Sequence, residues 1–442
     1  MLLLQSTVPL PHDIPLPLPI PETLLVAVLI VSFLIHIVFV NLMLGGSLLT
    51  FWCQIKGLKE KEYDTLAHEI AKTITVNKSL AVVMGVAPLL SINALYTLYF
   101  YTANSLTGLM WIAIIPLVTV AFLLTYLHKY TWTVLANNKP LHATIIAIAC
   151  AIFLFIPLIF LTNINLMLFP EKWGSIKGFM SALTLPNVFP RYLHFIFASF
   201  AATGLFLFWY IGRKNYPFET IFKKLTRYEI RKKAYSLVLA ASGIQFLVGP
   251  IVLLTLPSKG MGWNLMLVIF SGVVVAIPAM YWIYKAITGP KHRLANDFWK
   301  VALCLTFTII FMGYGRHIYR ANSLDPHRKM VAKKTLAFTK ASEEARKNPV
   351  EDLEADASLA ELPKGALVFK QNCAACHSKD VKVVGPPIIE MVSIYKGDEL
   401  GLKSWIKSPG KKRPAAPQMP AFGDKLSEDD LTELSRFILN TK

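Results

Sequence analysis

Residues 24–52 read LLVAVLIVSFLIHIVFVNLMLGGSLLTFW, without a single Asp, Glu, Lys or Arg. A bilayer core about 30 Å thick is crossed by roughly 20 apolar residues in a helix. This stretch exceeds that length, so it predicts a membrane span. It is too long for the core of a cleavable signal peptide and lacks a basic leader, which makes an uncleaved anchor the expectation. Further apolar runs follow near 79–102, 107–128, 142–165, 189–212, 233–257, 263–286 and 297–319. The expected fold is all-α: a polytopic membrane helix bundle of eight spans. Residues 1–22 are Pro-rich and predict a tail without regular structure.

Composition agrees. The chain has 442 residues, 54% of them hydrophobic, and a mean hydropathy of +0.49, too apolar for an ordinary soluble enzyme. A net charge of +18 would suggest nucleic acid in a soluble protein. Here the basic residues gather between spans, so the charge reads as a topology signal and no nucleic acid is expected. Loop 213–232 carries Arg213, Lys214, Lys223, Lys224, Arg227, Arg231 and Lys232. Lys56, Lys59, Lys61 and Lys72 lie in the first loop of the same side, and Lys285, Lys291 and Arg293 in the last. Loops 103–106 and 258–262, on the other side, are nearly uncharged. The positive-inside rule therefore makes the basic side cytoplasmic, with both termini on the opposite side. Arg316, Arg320, Arg328 and Lys329 run against that rule.

Beyond the spans, residues 321–362 read as a linker with some helix, ending in the acidic residues Glu351, Asp352, Glu354 and Asp356. Residues 363–442 have the size of a small monohaem domain and contain Cys373-Ala-Ala-Cys376-His377. In C-x-x-C-H two thiols form thioethers to a porphyrin and the adjacent imidazole ligates the iron, so haem c is expected. A metal or redox C-x-x-C is the competing reading, weakened by the following His and by a suitable distal ligand. Covalent attachment takes place outside the bacterial cytoplasmic membrane, which puts this domain and both termini in the periplasm and the spans in the inner membrane. Cys53, Cys150 and Cys304 lie in or beside apolar runs and read as small core residues. Ala366 to His377 predicts a helix running into the motif. Asp429 to Leu439, with Leu431, Leu434, Phe437 and Ile438 at helical spacing, predicts the helix that packs on it. Met419, in Pro417-Gln418-Met419-Pro420, is the candidate sixth ligand. Met391 competes but sits close to the haem-binding turn. With Gly385-Pro386-Pro387 beside the proximal His, the whole segment resembles class I cytochromes c.

Several histidines lie in or beside the spans. His128 and His142 fall at cytoplasmic span ends, where packing is the expected role and an inner-leaflet haem the alternative. His36 and His194 lie inside spans, where an ionisable side chain is costly without a function. At 1.5 Å per residue, His194 lies roughly 8 Å below the outer end of its span and His36 about 15–18 Å. Neutral imidazole ligates iron well, so both are candidate haem b ligands.

The run Ile35-His36-Ile37-Val38-Phe39-Val40-Asn41-Leu42-Met43-Leu44-Gly45 resembles the first span of subunit I of cytochrome bd quinol oxidases. Arg191-Tyr192-Leu193-His194, followed by Ala201-Ala202-Thr203-Gly204, is similar to that family's fifth span, and Tyr314-Gly315-Arg316 to the start of its Y-G-R-Q-P-W motif. Over residues 24–320 the resemblance implies that His36 ligates one of a pair of haems and His194 a low-spin haem b. Met266 would be the partner of His194, with Met261 as second choice. Arg191 and Arg316 would hold propionates or tune the field, and Arg320 reads as a further propionate partner. Two departures stand out. The family's ligating Glu before Y-G-R is Gly313 here, and Val82 to Leu95 holds no acid. His317 is a candidate replacement ligand or an interfacial His. The family's long quinol-binding loop shrinks to Ser258-Lys259-Gly260-Met261-Gly262.

These losses favour an electron-transfer protein over an oxidase. The expected domains are a tail (1–22), a haem b-binding membrane domain (23–320), a linker (321–362) and a cytochrome c domain (363–442). One haem c and one or two haems b would link quinol to a tethered periplasmic haem. Two alternatives are a bd-like terminal oxidase fed by its own cytochrome c and a haem-bearing anchor subunit of a periplasmic oxidoreductase. Quinone, further membrane or periplasmic redox subunits, and the lipid bilayer are the expected partners.

Overall fold

The computed structural model describes residues 18, 20–347, 362–411 and 418–441, excepting the side chains at 75–77 and 345–347. Most of the Pro-rich tail, the acidic run and Pro417 lie outside the described residues. The chain divides into one compact unit of residues 1–338 and another of residues 339–442.

The first unit contains α1 (Glu22–Gly57), α2 (Lys61–Leu95), α3 (Thr97–Thr107), α4 (Leu109–Tyr130), α5 (Lys139–Leu166), α6 (Phe179–Leu183), α7 (Val188–Gly212), α8 (Phe218–Ile221), α9 (Arg227–Thr255), α10 (Trp263–Thr288) and most of α11 (Phe298–Lys347). Eight of these, α1, α2, α4, α5, α7, α9, α10 and α11, are long and apolar enough to cross a membrane. Only helices and closed barrels satisfy their backbone groups internally in lipid, which is why the apolar runs become helices. This is a multi-pass membrane protein.

Two boundaries differ from the sequence expectation. α2 begins at Lys61, far before the apolar run at 79, because Tyr63, Leu66, Ala67, Ile70, Ala71 and Ile74 form a buried stripe at helical spacing. That stripe packs on Cys53, Trp132 and Phe218 at the end of the bundle opposite the start of α1, here the far face. The helix then breaks at Tyr96 and α3 follows. The second difference lies beyond the last span, where α11 continues as helix to Lys347, through much of the segment read as linker.

Close contacts between helices rest on small residues. A β-carbon at Gly45 would lie 2.3 Å from Thr203 Oγ1 and 2.4 Å from the Ser199 carbonyl oxygen, so α1 and α7 touch there only because residue 45 is glycine. At the near face, where α1 begins, Asn187 takes a left-handed φ of 75°. Its Nδ2 donates to the Val252 carbonyl at 2.7 Å and to Thr255 Oγ1 at 2.8 Å, fixing the start of α7 against the end of α9. Asn tolerates this conformation better than most residues.

The second unit contains α12 (Lys364–Asn372), α13 (Ile388–Ile394), α14 (Glu399–Lys407) and α15 (Glu428–Asn440). α12 stops before the Cys-rich motif, which forms a turn, so the first helix is shorter than the Ala366–His377 expectation. α15 opens with a capping box between Ser427 and Asp430 and buries Leu431, Leu434 and Ile438 on one face.

Candidate haem-binding sites

In the second unit α12 packs on α15 at Gly365, where a β-carbon would lie 2.0 Å from the Glu433 carbonyl oxygen. Between these helices and the loops opens a cavity of about 290 Å³, lined by Cys373, Cys376, His377, Trp405 and Met419 among others. His377 Nδ1–H donates to the Pro386 carbonyl at 2.8 Å, which leaves Nε2 as the ring's metal-binding nitrogen. A β-carbon at Gly385 would lie 2.1 Å from His377 Cε1, so this glycine lets the loop close over the ring. Burial, with Cys376 beside it, pushes the Cys373 thiol up to about 11. Before attachment it is thus a protonated, apolar side chain. Met391 lines the same cavity but is buried in α13, just after the turn that anchors His377. Met419 is half-buried, lines the same cavity and comes from a separate loop.

In the membrane unit His36 is held in the same manner. Its Nδ1–H donates to the Ala81 carbonyl of α2 at 2.8 Å, leaving Nε2 unbonded. A β-carbon at Gly85, one turn along α2, would lie 2.9 Å from its Cε1. A carbonyl on Nδ1 and a glycine against the ring edge thus recur at His36 and His377.

His194 differs. Its Nδ1 is buried without a hydrogen-bond partner. The register set by Asn187 on Val252 and Gly204 on Ala234 puts Gln245 of α9 at the level of His194, and Gln245 Nε2 is also buried without a partner. Two orphaned polar atoms at one level of an apolar bundle fit a bound polar or metal-bearing group. Met266 packs into the near-face core one turn inside α10, whereas Met261 is exposed, which ranks Met266 first.

Arg191 of α7 and Arg316 and Arg320 of α11 lie close enough to repel one another. Among the described residues none of the three pairs with a carboxylate, and Arg316 Nε is buried without a partner. Arg316 sits 4.7 Å over the Phe33 ring and Arg320 5.3 Å over Tyr96. Three clustered guanidiniums without counter-ions fit an anionic group such as a haem propionate. His317 Nδ1 is likewise buried and unpartnered, one residue beyond Arg316. At Gly313 a β-carbon would lie 2.8 Å from Leu34 Cδ2, so the Leu34 side chain takes the space beside the position where the family would carry its Glu ligand.

The structure gives His128 and His142 a packing role. Their rings stack with centroids 4.1 Å apart, and Trp132 packs edge-on against both. His128 Nε2–H donates to Gln54 Oε1 at 2.9 Å, Gln54 Nε2 donates to His142 Nδ1 at 2.6 Å, and His142 Nε2–H donates to the His128 carbonyl at 2.7 Å. No iron fits between rings in contact. Substituting His142→Leu should cost about 1–3 kcal/mol, since it strands buried partners. Visible spectra should not change, and thermal unfolding followed beside absorbance separates the two effects.

Sequence reasoning missed Ala81, Gly85, Gln54, Gln245 and the buried Lys78. Lys78 Nζ donates to Thr125 Oγ1 at 2.6 Å and to the Phe122 carbonyl at 3.1 Å, tying α2 to α4. A charged residue directly before an apolar run was the available signal for Lys78. Glycine and alanine carry none.

Residues 362–442 match the cytochrome c family. They are similar to cytochrome c6 of Diacronema lutheri (30% identity, 18% of this chain and 95% of that protein) and of Bumilleriopsis filiformis (29%, 18% and 92%). The chain belongs to the cytochrome c family through this C-terminal domain. The domain accordingly carries covalent haem c. Across the membrane unit the fold is that of a bd oxidase from Geobacillus thermodenitrificans, with a TM-score of 0.55 and 13% identity over 74% of this chain and 96% of that one. The protein is thus a haem-containing, membrane-embedded electron-transfer protein.

Proposed function

We propose that this protein carries electrons between the membrane, where quinol is the donor, and its tethered cytochrome c domain. The observation that carries the reading is the recurrence at His36 of the arrangement at His377. Haem iron supplies reversible one-electron chemistry when bound. Cys373 and Cys376 would anchor the c-type group, and His377 and Met419 would ligate its iron. In the membrane unit His36 would hold a b-type haem through Nε2, and His194 with Met266 would hold a second. Arg191, Arg316 and Arg320 neutralise propionates, and the apolar helices keep water from the ligands. His317 stands beside the propionate cluster as a spare ligand. We place the protein in the bacterial inner membrane with the cytochrome c domain in the periplasm, working with further redox subunits.

Leu34 beside Gly313 and the absence of acid in Val82 to Leu95 remove the two carboxylates that the resemblance would supply for a high-spin iron and for proton delivery, which weighs against oxygen reduction. Reduced-minus-oxidised and CO-difference spectra with a pyridine haemochrome assay test the proposal. Low-spin b and c signals that ignore CO are expected. A CO-reactive high-spin haem would move the oxidase reading to first place, and lack of any b-type haem would leave a cytochrome c on an anchor.

A further inference from the structure

We propose that the far face of the membrane unit binds the phosphate headgroup of an acidic phospholipid, in the cavity between the first half of α2 and the end of α7. This cavity measures about 610 Å³ and is lined by Glu69, Lys72, Tyr210, Arg213, Lys214 and Tyr216 among others.

Its charge balance calls for an anion. Glu69 is satisfied at both oxygens: Lys72 Nζ donates to Oε1 at 2.5 Å and the Tyr216 hydroxyl to Oε2 at 3.0 Å. Arg213 and Lys214 have no carboxylate partner among the described residues. The cavity wall therefore presents two cations without a carboxylate partner beside a neutralised ion pair. The carbonyls at the end of α7 would repel an anion, but a guanidinium caps one of them and another holds the two carbonyls that follow in the loop. Arg213 Nε–H donates to the Tyr210 carbonyl at 3.1 Å, and Arg227 donates to the carbonyls of Arg213 and Tyr216 at 3.3 Å each.

The depth selects the ligand. Arg213 directly follows the apolar span Val188–Gly212 and stacks 4.0 Å over the Tyr210 ring, while Trp209 stands 39% exposed one turn before it. Aromatic and basic residues at a span end mark the headgroup level. Basic pockets beside membrane helices at that level hold anionic headgroups. Pro217 and Ile221 add an apolar wall where the glycerol backbone would lie. Inorganic phosphate offers the same oxygens from the water side, and only a lipid would also use that wall.

The test uses the full-length haem-loaded protein in detergent, titrated with phosphatidylglycerol, phosphatidylcholine or inorganic phosphate. Thermal unfolding and native mass spectrometry read binding. Phosphatidylglycerol should bind about tenfold or more tightly than phosphatidylcholine and raise the unfolding temperature. Arg213→Ala with Lys214→Ala should abolish that preference while haem spectra stay unchanged. Lys214→Gln alone, at an exposed position, should weaken it and serves if the double variant fails to fold. Lys223→Ala with Lys224→Ala, on the same face outside the cavity, should retain it. Equal stabilisation by inorganic phosphate would overturn the lipid assignment. Absence of a preference, or equal loss in the Lys223 and Lys224 variant, would reduce the site to diffuse surface charge.

Discussion

His36→Ala should strip b-type haem from the membrane unit while haem c stays at full occupancy. The ring is the only part of α1 at that level able to ligate iron, and its orientation is set by the Ala81 carbonyl at 2.8 Å. Alanine leaves neither ligand nor anchor, so at least about one b haem per chain should be lost. A pyridine haemochrome assay gives the b and c contents separately, so failed folding is recognised by loss of both. Gly85→Leu should act in the same direction, because its side chain would occupy the space against the ring edge. If His36→Ala keeps all its b-type haem, the parallel with His377 has no functional meaning, and His194 becomes the only membrane ligand to pursue.

The second large effect is expected at Gly385. A methyl group there would sit 2.1 Å from His377 Cε1 and 2.6 Å from Nδ1, against a ring already tied to Pro386. Overpacking of this kind costs about 1–3 kcal/mol. Because each 1.4 kcal/mol is a factor of ten, Gly385→Ala should shift the equilibrium between correctly ligated and unligated haem c by about five- to a hundredfold toward the unligated form. The readouts are haem staining of the denatured chain, for attachment, and the absorption bands of the native protein, for ligation. Membrane haem should be untouched, since residues 339–442 form their own compact unit. Normal attachment with normal bands would show that the loop relaxes freely and that Gly385 is not a positioning residue.

Much of the architecture is legible in the apolar runs themselves. The eight spans are local facts, because each run alone is long enough to cross a bilayer. The start of α2 is not legible in that way. Its stripe from Tyr63 to Ile74 is amphipathic, and only packing against Cys53, Trp132 and Phe218 shows that it continues a span. The run of α11 to Lys347 is hidden for a related reason: charged residues in a helix and in a linker look alike until the backbone is placed.

For the sites the division follows the reach of the chemistry. Cys373, Cys376 and His377 lie within five consecutive residues, so covalent haem c is readable from order alone. His36 and His194 announce themselves by the cost of an imidazole among apolar neighbours. The stacked pair of His128 and His142 has two open readings until Gln54, distant in sequence, closes their hydrogen bonds.

By itself the sequence determined the membrane class, the number of spans and the covalent haem, since run length and motif spacing are properties of a short stretch of chain. Tertiary structure alone decided which nitrogen of His36 is left for a metal, that Arg191, Arg316 and Arg320 share one place, and that Leu34 fills the space beside Gly313. Each of those depends on which backbones approach one another, and that is set by helix packing through glycine and alanine positions, which carry no chemical signal of their own.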